Sequence, residues 1–195
     1  MKLVVGLGNP GERYEGTRHN VGFLVADSLH QRSDRPSPFS PRFDGLVSRI
    51  RLEGEEVVVL KPQTFMNRSG RSVSRAASWF DIPPEEVLVV HDDLDLAFGT
   101  VRVKVGGGSG GHRGLESCFV ELGSREFARV RVGIGRPAPE SDATDYVLER
   151  FDEEQRGNLA DVVSLAADAA RMTIGAGAAA AMNRFNRRIV DGGEP

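Results

Sequence analysis

Six short runs of β-branched and aliphatic residues, each closed by a turn signal, alternate with stretches of helical periodicity. That pattern restricts the chain to an α/β architecture. The runs lie at about 2–6, 46–51, 56–61, 87–91, 100–105 and 129–134. Val21, Leu24, Val25 and Leu29 recur at helical spacing, as do Val73, Ala76, Ala77 and Phe80. A third helix is predicted over Leu115 to Leu122. The longest is predicted to begin near Asp152 and to carry Leu159, Val162, Val163, Ala166 and Ala170. Gly175 and Gly177 weaken it, and a shorter helix is expected before Arg184. Runs 46–51 and 56–61 adjoin around Gly54 as a hairpin, which makes the sheet mixed. Ser33–Pro41, with its prolines, and Pro137–Thr144 read as surface loops, and 191–195 as a frayed tail. The expected fold is a single-domain α/β sandwich over 1–195.

Composition narrows the function classes. The net charge of -3 means that any nucleic-acid surface must be a local basic face. Cys118 is the only cysteine, which excludes an internal disulfide or a multi-cysteine metal site and fits a reducing cytosol. The apolar stretch Leu3–Leu7 is short and broken by Gly6, Gly8 and Pro10, so no secretory signal is expected. No uninterrupted apolar run reaches bilayer length, so a cytoplasmic location is expected. The phosphate-loop, zinc-protease and esterase signatures are absent.

Four polar segments could carry chemistry. The first run enters Gly6-Leu7-Gly8-Asn9-Pro10-Gly11 and then Thr17-Arg18-His19-Asn20. His19 stands where a helix begins, and histidine is the side chain that exchanges a proton most readily near neutrality. The glycines satisfy G-x-G-x-x-G, but a dinucleotide site needs its helix to open within them and an acid about 20 residues on. Here residues 14–17 intervene, and the acid near that distance, Asp34, lies in a loop. A tight strand-to-helix turn explains the glycines but not Asn9 or Tyr14. The second segment, His91-Asp92-Asp93-Leu94-Asp95, ends an apolar strand. A carboxylate there could orient His19. A metal site of His91, Asp92, Asp93 and Asp95, or a solvated acidic turn, are the alternatives.

The third segment runs from Lys61 to Gly70, and its Asn67 could hold a water or polarise a carbonyl. The plainer reading makes Asn67 or Ser69 a helix cap and Phe65 and Met66 core. The fourth is Gly106-Gly107-Gly108-Ser109-Gly110-Gly111-His112-Arg113-Gly114, whose amides could meet a phosphate or which could be a flexible turn. Lys104, Arg131, Arg184, Arg187 and Arg188 are candidates for a basic face. The arginines near the C-terminus could equally complement a helix dipole. Cys118 falls in an apolar helix and reads as packing.

In this order and spacing, V-G-L-G-N-P-G, T-R-H-N, T-F-M-N-x-S-G, H-D-D-L-D-L and G-G-G-x-G-G-H resemble the bacterial peptidyl-tRNA hydrolase family, over nearly the whole chain. The resemblance implies a twisted mixed β-sheet with helices on both sides. It implies an enzyme that cleaves the ester between a peptide and the 3′ end of tRNA, recycling peptidyl-tRNA lost from ribosomes. By position it implies His19 as general base, Asp92 as its support, and Asn9 as the residue that tells blocked from free aminoacyl ends. Tyr14, Phe65 and Asn67 are implied to line the cleft, and Lys104 and Arg131 to grip the 5′ phosphate. No metal, no cofactor, no membrane and no obligate protein partner are implied, and a monomer is expected. One position departs: many relatives carry asparagine where this chain has Arg113. Arginine only donates, so Arg113 is expected to face the tRNA acceptor end and add electrostatic affinity. The competing reading is a non-catalytic RNA-binding relative, which would have no need of a base and its orienter.

Overall fold

The computed structural model describes residues 1–187. Arg188 and the tail at 191–195 therefore lie outside the described residues. In chain order the elements are β1 (Lys2–Gly6), α1 (Val21–Gln31), β2 (Ser40–Arg42), β3 (Gly45–Leu52), β4 (Glu55–Pro62), α2 (Ser69–Trp79), β5 (Val87–Asp93), β6 (Val101–Val105), α3 (Arg113–Leu122), β7 (Ala128–Gly133), α4 (Ala143–Leu148), α5 (Glu153–Ala176) and α6 (Ala178–Phe185). The strands form one mixed sheet in the order β2-β3-β4-β1-β5-β7-β6. The inner strands β4, β1, β5 and β7 are parallel, whereas β2, β3 and β6 pair antiparallel.

Side-chain alternation explains the two layers. Leu3 and Val5 of β1 join a core with Val73 and Ala76 of α2 and Leu115 and Cys118 of α3. Val4, between them, joins the opposite core with Val21 and Val25 of α1 and Val162, Ala166 and Ala170 of α5. Strands buried on both faces must read as continuous apolar runs, which is why β1, β4 and β5 stood out in the sequence.

The expected elements are all present, and two more appear. β2 lies at the end of the segment read as a loop; it is short, exposed, and carries Pro41, a residue tolerated at a sheet edge. α4 begins at Ala143, inside the second expected loop, where the Asp142 carboxylate accepts from Thr144 N–H and caps it. Six residues are too few to show a period. α5 is started by a capping box between Asp152 and Gln155, worth about 1 kcal/mol. α6 runs on past Arg184 to Phe185. Among the described residues, no helix is long and apolar enough to cross a membrane.

The first glycines have a packing role. A Cβ on Gly6 would sit 2.2 Å from the Gly22 carbonyl oxygen, and one on Gly22 would sit 2.5 Å from the Leu7 nitrogen. The helix α1 thus lies directly against the end of β1. It opens well after the glycines rather than within them, unlike a dinucleotide-binding turn.

Candidate active site

The carboxyl end of β5 opens into a crevice, the usual place for working residues in a parallel sheet. The turn Arg18–Asn20 delivers three side chains in three directions. Arg18 is buried 4.0 Å from the Tyr146 ring centre and donates to the Tyr146 carbonyl and the Gln155 side chain. Asn20 clamps the backbone of Asn9, accepting its N–H at 2.8 Å and donating to its carbonyl at 2.9 Å. His19, held between these anchors, points at Asp92.

Asp92 is 2% exposed, and both its oxygens lie 2.9 Å from His19 Nδ1. A carboxylate only accepts, so Nδ1 carries the proton and Nε2 of His19 is left as the basic lone pair. The same Asp92 accepts from His112 Nε2 at 2.9 Å. His112 Nδ1 in turn accepts the Leu115 N–H at the start of α3, so one ring both caps a helix and braces the carboxylate. Burial alone would raise the Asp92 pKa. The charges of His19 and His112 and their hydrogen bonds overcome it and hold the carboxyl well below its usual range.

His91 adds a third imidazole. Its Nδ1 donates to the Asp92 carbonyl at 2.7 Å, and its ring meets His112 edge-on. Burial, then the neighbouring His112, pushes its pKa down to about 3, which keeps the ring neutral.

The acidic run does not act as a unit. Asp93 accepts from Arg131 Nε at 2.7 Å, and Asp95 pairs with Arg136. Among the described residues, the group whose ligating atoms come close enough for a metal ion is His19, Asp92 and His112, within 4.8 Å. That trio differs from the acidic-run set weighed as an alternative in the sequence, and its ligating atoms are hydrogen-bonded to one another.

A cavity of about 350 Å³ adjoins the trio. It is walled by His19, His91, His112 and Arg113, by the strip Gly108–Gly111, by Lys104, Arg129 and Arg131, and by Ala143, Thr144 and Val147 of α4. The structure therefore brings His19, Asp92, Lys104, Arg113 and Arg131 to one cavity. Asn9, Tyr14, Phe65 and Asn67 lie outside it. Asn9 Oδ1 accepts the Met66 N–H at 2.8 Å, so its amide NH₂ is the part left for other work. Asn67 is exposed beside it in the turn Met66–Arg68. Contrary to the plainer expectation, neither Asn67 nor Ser69 caps α2, and Phe65 is 59% exposed rather than core. Tyr14 is half-buried beneath Arg13. Arg184 and Arg187 are exposed and do not line this cavity; Arg184 borders a separate groove with Glu53 and Arg171.

Three residues that shape the site were not singled out from the sequence: His112, Asn20 and Arg129. His112 carried a signal, an imidazole closing a glycine run just before a helix. Asn20 carried one too, as the last residue of T-R-H-N, whereas Arg129 carried none that a sequence separates from ordinary polar positions.

Residues 3–192 match the family model described as peptidyl-tRNA hydrolase. A peptidyl-tRNA hydrolase from Mycobacterium avium is 48% identical over 184 residues, covering 94% of this chain and 96% of that one. One from Anaeromyxobacter dehalogenans is 50% identical over 188 residues, covering 96% and 97%. The crystal structure of peptidyl-tRNA hydrolase from Acinetobacter baumannii superposes with a TM-score of 0.88 at 34% identity, covering 95% of this chain and 94% of that one. On geometry and likeness together, the chain belongs to the peptidyl-tRNA hydrolase family.

Proposed function

We propose that this chain hydrolyses the ester joining a peptide to the 3′ end of tRNA, with His19 as general base and Asp92 as its positioning carboxylate. The observation that carries the reading is the bond from His19 Nδ1 to buried Asp92, which leaves Nε2 available as a proton acceptor. Nε2 takes a proton from water as the oxygen adds to the ester carbonyl. The tetrahedral intermediate then expels the ribose oxygen, which recovers the proton from the imidazolium. The products are the peptide acid and free tRNA. Asp92 stabilises the transient positive ring, and His112 holds Asp92 still.

Asn9 and Asn67 supply amide donors for the peptide carbonyl and its developing oxyanion. Asn9 is also the residue that senses a blocked amine. Tyr14 and Phe65 offer apolar surface along the peptide path. Lys104 and Arg131 grip the 5′ phosphate, and Arg113, at the start of α3, meets the acceptor end. A local basic face on an acidic chain gives affinity that is independent of tRNA sequence. The protein acts as a monomer in the cytoplasm, recycling tRNA from peptides released early by ribosomes; the single reduced cysteine is consistent with that compartment.

The test is release of N-acetyl-amino acid from N-acetyl-aminoacyl-tRNA, with unblocked aminoacyl-tRNA in parallel. Release from the blocked substrate alone is the expected result. Cleavage of both would remove the role given to Asn9, and tight tRNA binding without release would overturn the enzyme reading.

A further inference from the structure

Arg129 on β7 is the largest fully buried side chain among the described residues, at 2% exposure, and no carboxylate among them lies within ion-pair distance of it. Its two terminal nitrogens are met by three carbonyls in a row, while Nε has no partner among the described residues. Nη2 donates to Gly106 O at 2.5 Å and Gly107 O at 2.7 Å, and Nη1 donates to Gly108 O at 2.7 Å. Phe119 and Phe127 pack beside the guanidinium, with ring centres 5.0 and 5.5 Å from its carbon. Such burial is costly unless the hydrogen bonds are well made, so the arrangement demands a use.

The peptide group supplies one. In a planar trans peptide the carbonyl of one residue and the N–H of the next point in opposite directions. With three successive carbonyls turned onto Arg129, the N–H groups of Gly107, Gly108 and Ser109 turn away from it. None of these three donates to any described residue. Gly106 and Gly107 hold φ of 66° and 84°, a conformation cheap only for glycine, so the convergence needs both the glycines and the arginine. Lys104 Nζ lies against the strip, 2.6 Å from where a Cβ on Gly107 would sit. Nearby acids are partly engaged: Glu116 accepts from Ser109 Oγ, and Asp95 pairs with Arg136. The Glu126 carboxylate lies 3.0 Å from where a Cβ on Gly106 would sit.

We propose that Arg129 is a positioning residue that holds residues 107–109 as a row of amide donors, a cradle for a phosphodiester of the tRNA acceptor end. Its buried charge behind the carbonyls strengthens the field at those amides. Lys104 and Arg131 bring charge directly, whereas Arg129 acts through the backbone. The inference rests on the peptidyl-tRNA reading.

The test uses Arg129→Lys and Arg129→Gln on two substrates, N-acetyl-aminoacyl-tRNA and N-acetyl-aminoacyl-adenosine, which has the ester without phosphate. Lysine keeps the charge but is shorter and offers a single nitrogen in place of the planar fork. Arg129→Lys is expected to raise KM for the tRNA substrate about tenfold, with kcat within about twofold and the phosphate-free substrate unaffected. Equal losses on both substrates, or no change on either, would overturn the proposal and leave Arg129 a brace. A second readout needs no variant and no turnover. Titrating the intact wild-type protein with the dinucleotide cytidylyl-adenosine should shift the amide resonances of Gly107, Gly108 and Ser109 together. Static amides there would also overturn the cradle. A wild-type protein that cleaves neither substrate would remove the peptidyl-tRNA reading instead, while the amide shifts still decide on phosphate binding.

Discussion

At one end of the cavity Asp92 shares its carboxylate between two imidazoles, and a third ring packs against them. At the other end Lys104, Arg129 and Arg131 stand on the adjacent strands β6 and β7, and among the described residues Asp93 is the one carboxylate paired with them. Lys104 lies directly opposite Arg129 in the ladder, a like-charged pairing that weakens a sheet. The first end satisfies its charges internally, which fixes geometry and tautomer. The second sets the Lys104 ammonium, without a carboxylate partner among the described residues, beside two guanidiniums at some cost in stability, which is what binding a polyanion requires. Chemistry and affinity are thus kept apart within one crevice, and variants should separate them.

The largest effect should come from His19→Ala, with kcat reduced by roughly two to four decades and KM little changed. Steady-state kinetics on blocked aminoacyl-tRNA would check it, and a loss under about tenfold would break the division. Asp92→Asn should cost roughly ten- to a hundredfold in kcat, because the ring loses its orienter and the stabiliser of its charged form but keeps its lone pair. A dominant rise in KM would instead place Asp92 among the binding groups. At the opposite end, Lys104→Ala with Arg131→Ala should raise KM about tenfold and flatten the dependence of log kcat/KM on log salt by about one to two, leaving kcat near normal. An unchanged salt slope would remove phosphate contact from this end.

The smallest effect concerns acid stability. His91 is depressed from 6.5 to about 3 in the folded protein, so below pH 6.5 the unfolded chain binds the extra proton first. Stability from this group is therefore full above pH 6.5 and is lost as pH falls toward 3, by at most about 1.4 kcal/mol per pH unit. Asp92, also depressed, adds a loss in the same direction below the ordinary carboxylate range. Thermal midpoints of His91→Phe should fall less steeply between pH 6.5 and 4 than those of the wild-type protein. Parallel slopes would show that the imidazole cluster is not the acid-sensitive end.

Much of this was legible in the chain. The buried strands announced themselves because a strand covered on both faces must be apolar throughout, as Leu3-Val4-Val5 and Val87-Leu88-Val89-Val90 are. The hairpin of β3 and β4 followed from the turn at Gly54, and α1 and α5 from the helical spacing of their apolar residues. His19 and Asp92 were readable as residue types at strand and turn ends. Short elements escaped notice: β2 and α4 owe their existence to a neighbouring strand and to one cap, not to any period.

The polar partnerships belong to the tertiary structure alone. His19 and Asp92 are 73 residues apart, His112 lies 20 beyond Asp92, and Asn9 meets Met66 across 57. Local propensity carries no information over such distances. Whether a histidine braces a carboxylate, or an arginine spends its charge on glycine carbonyls, is decided by which strand ends the sheet order brings together. Hydrophobic periodicity specifies layers because burial is non-directional and repeats along the chain. Hydrogen bonds between side chains are directional and short, so they exist only once the layers have been assembled.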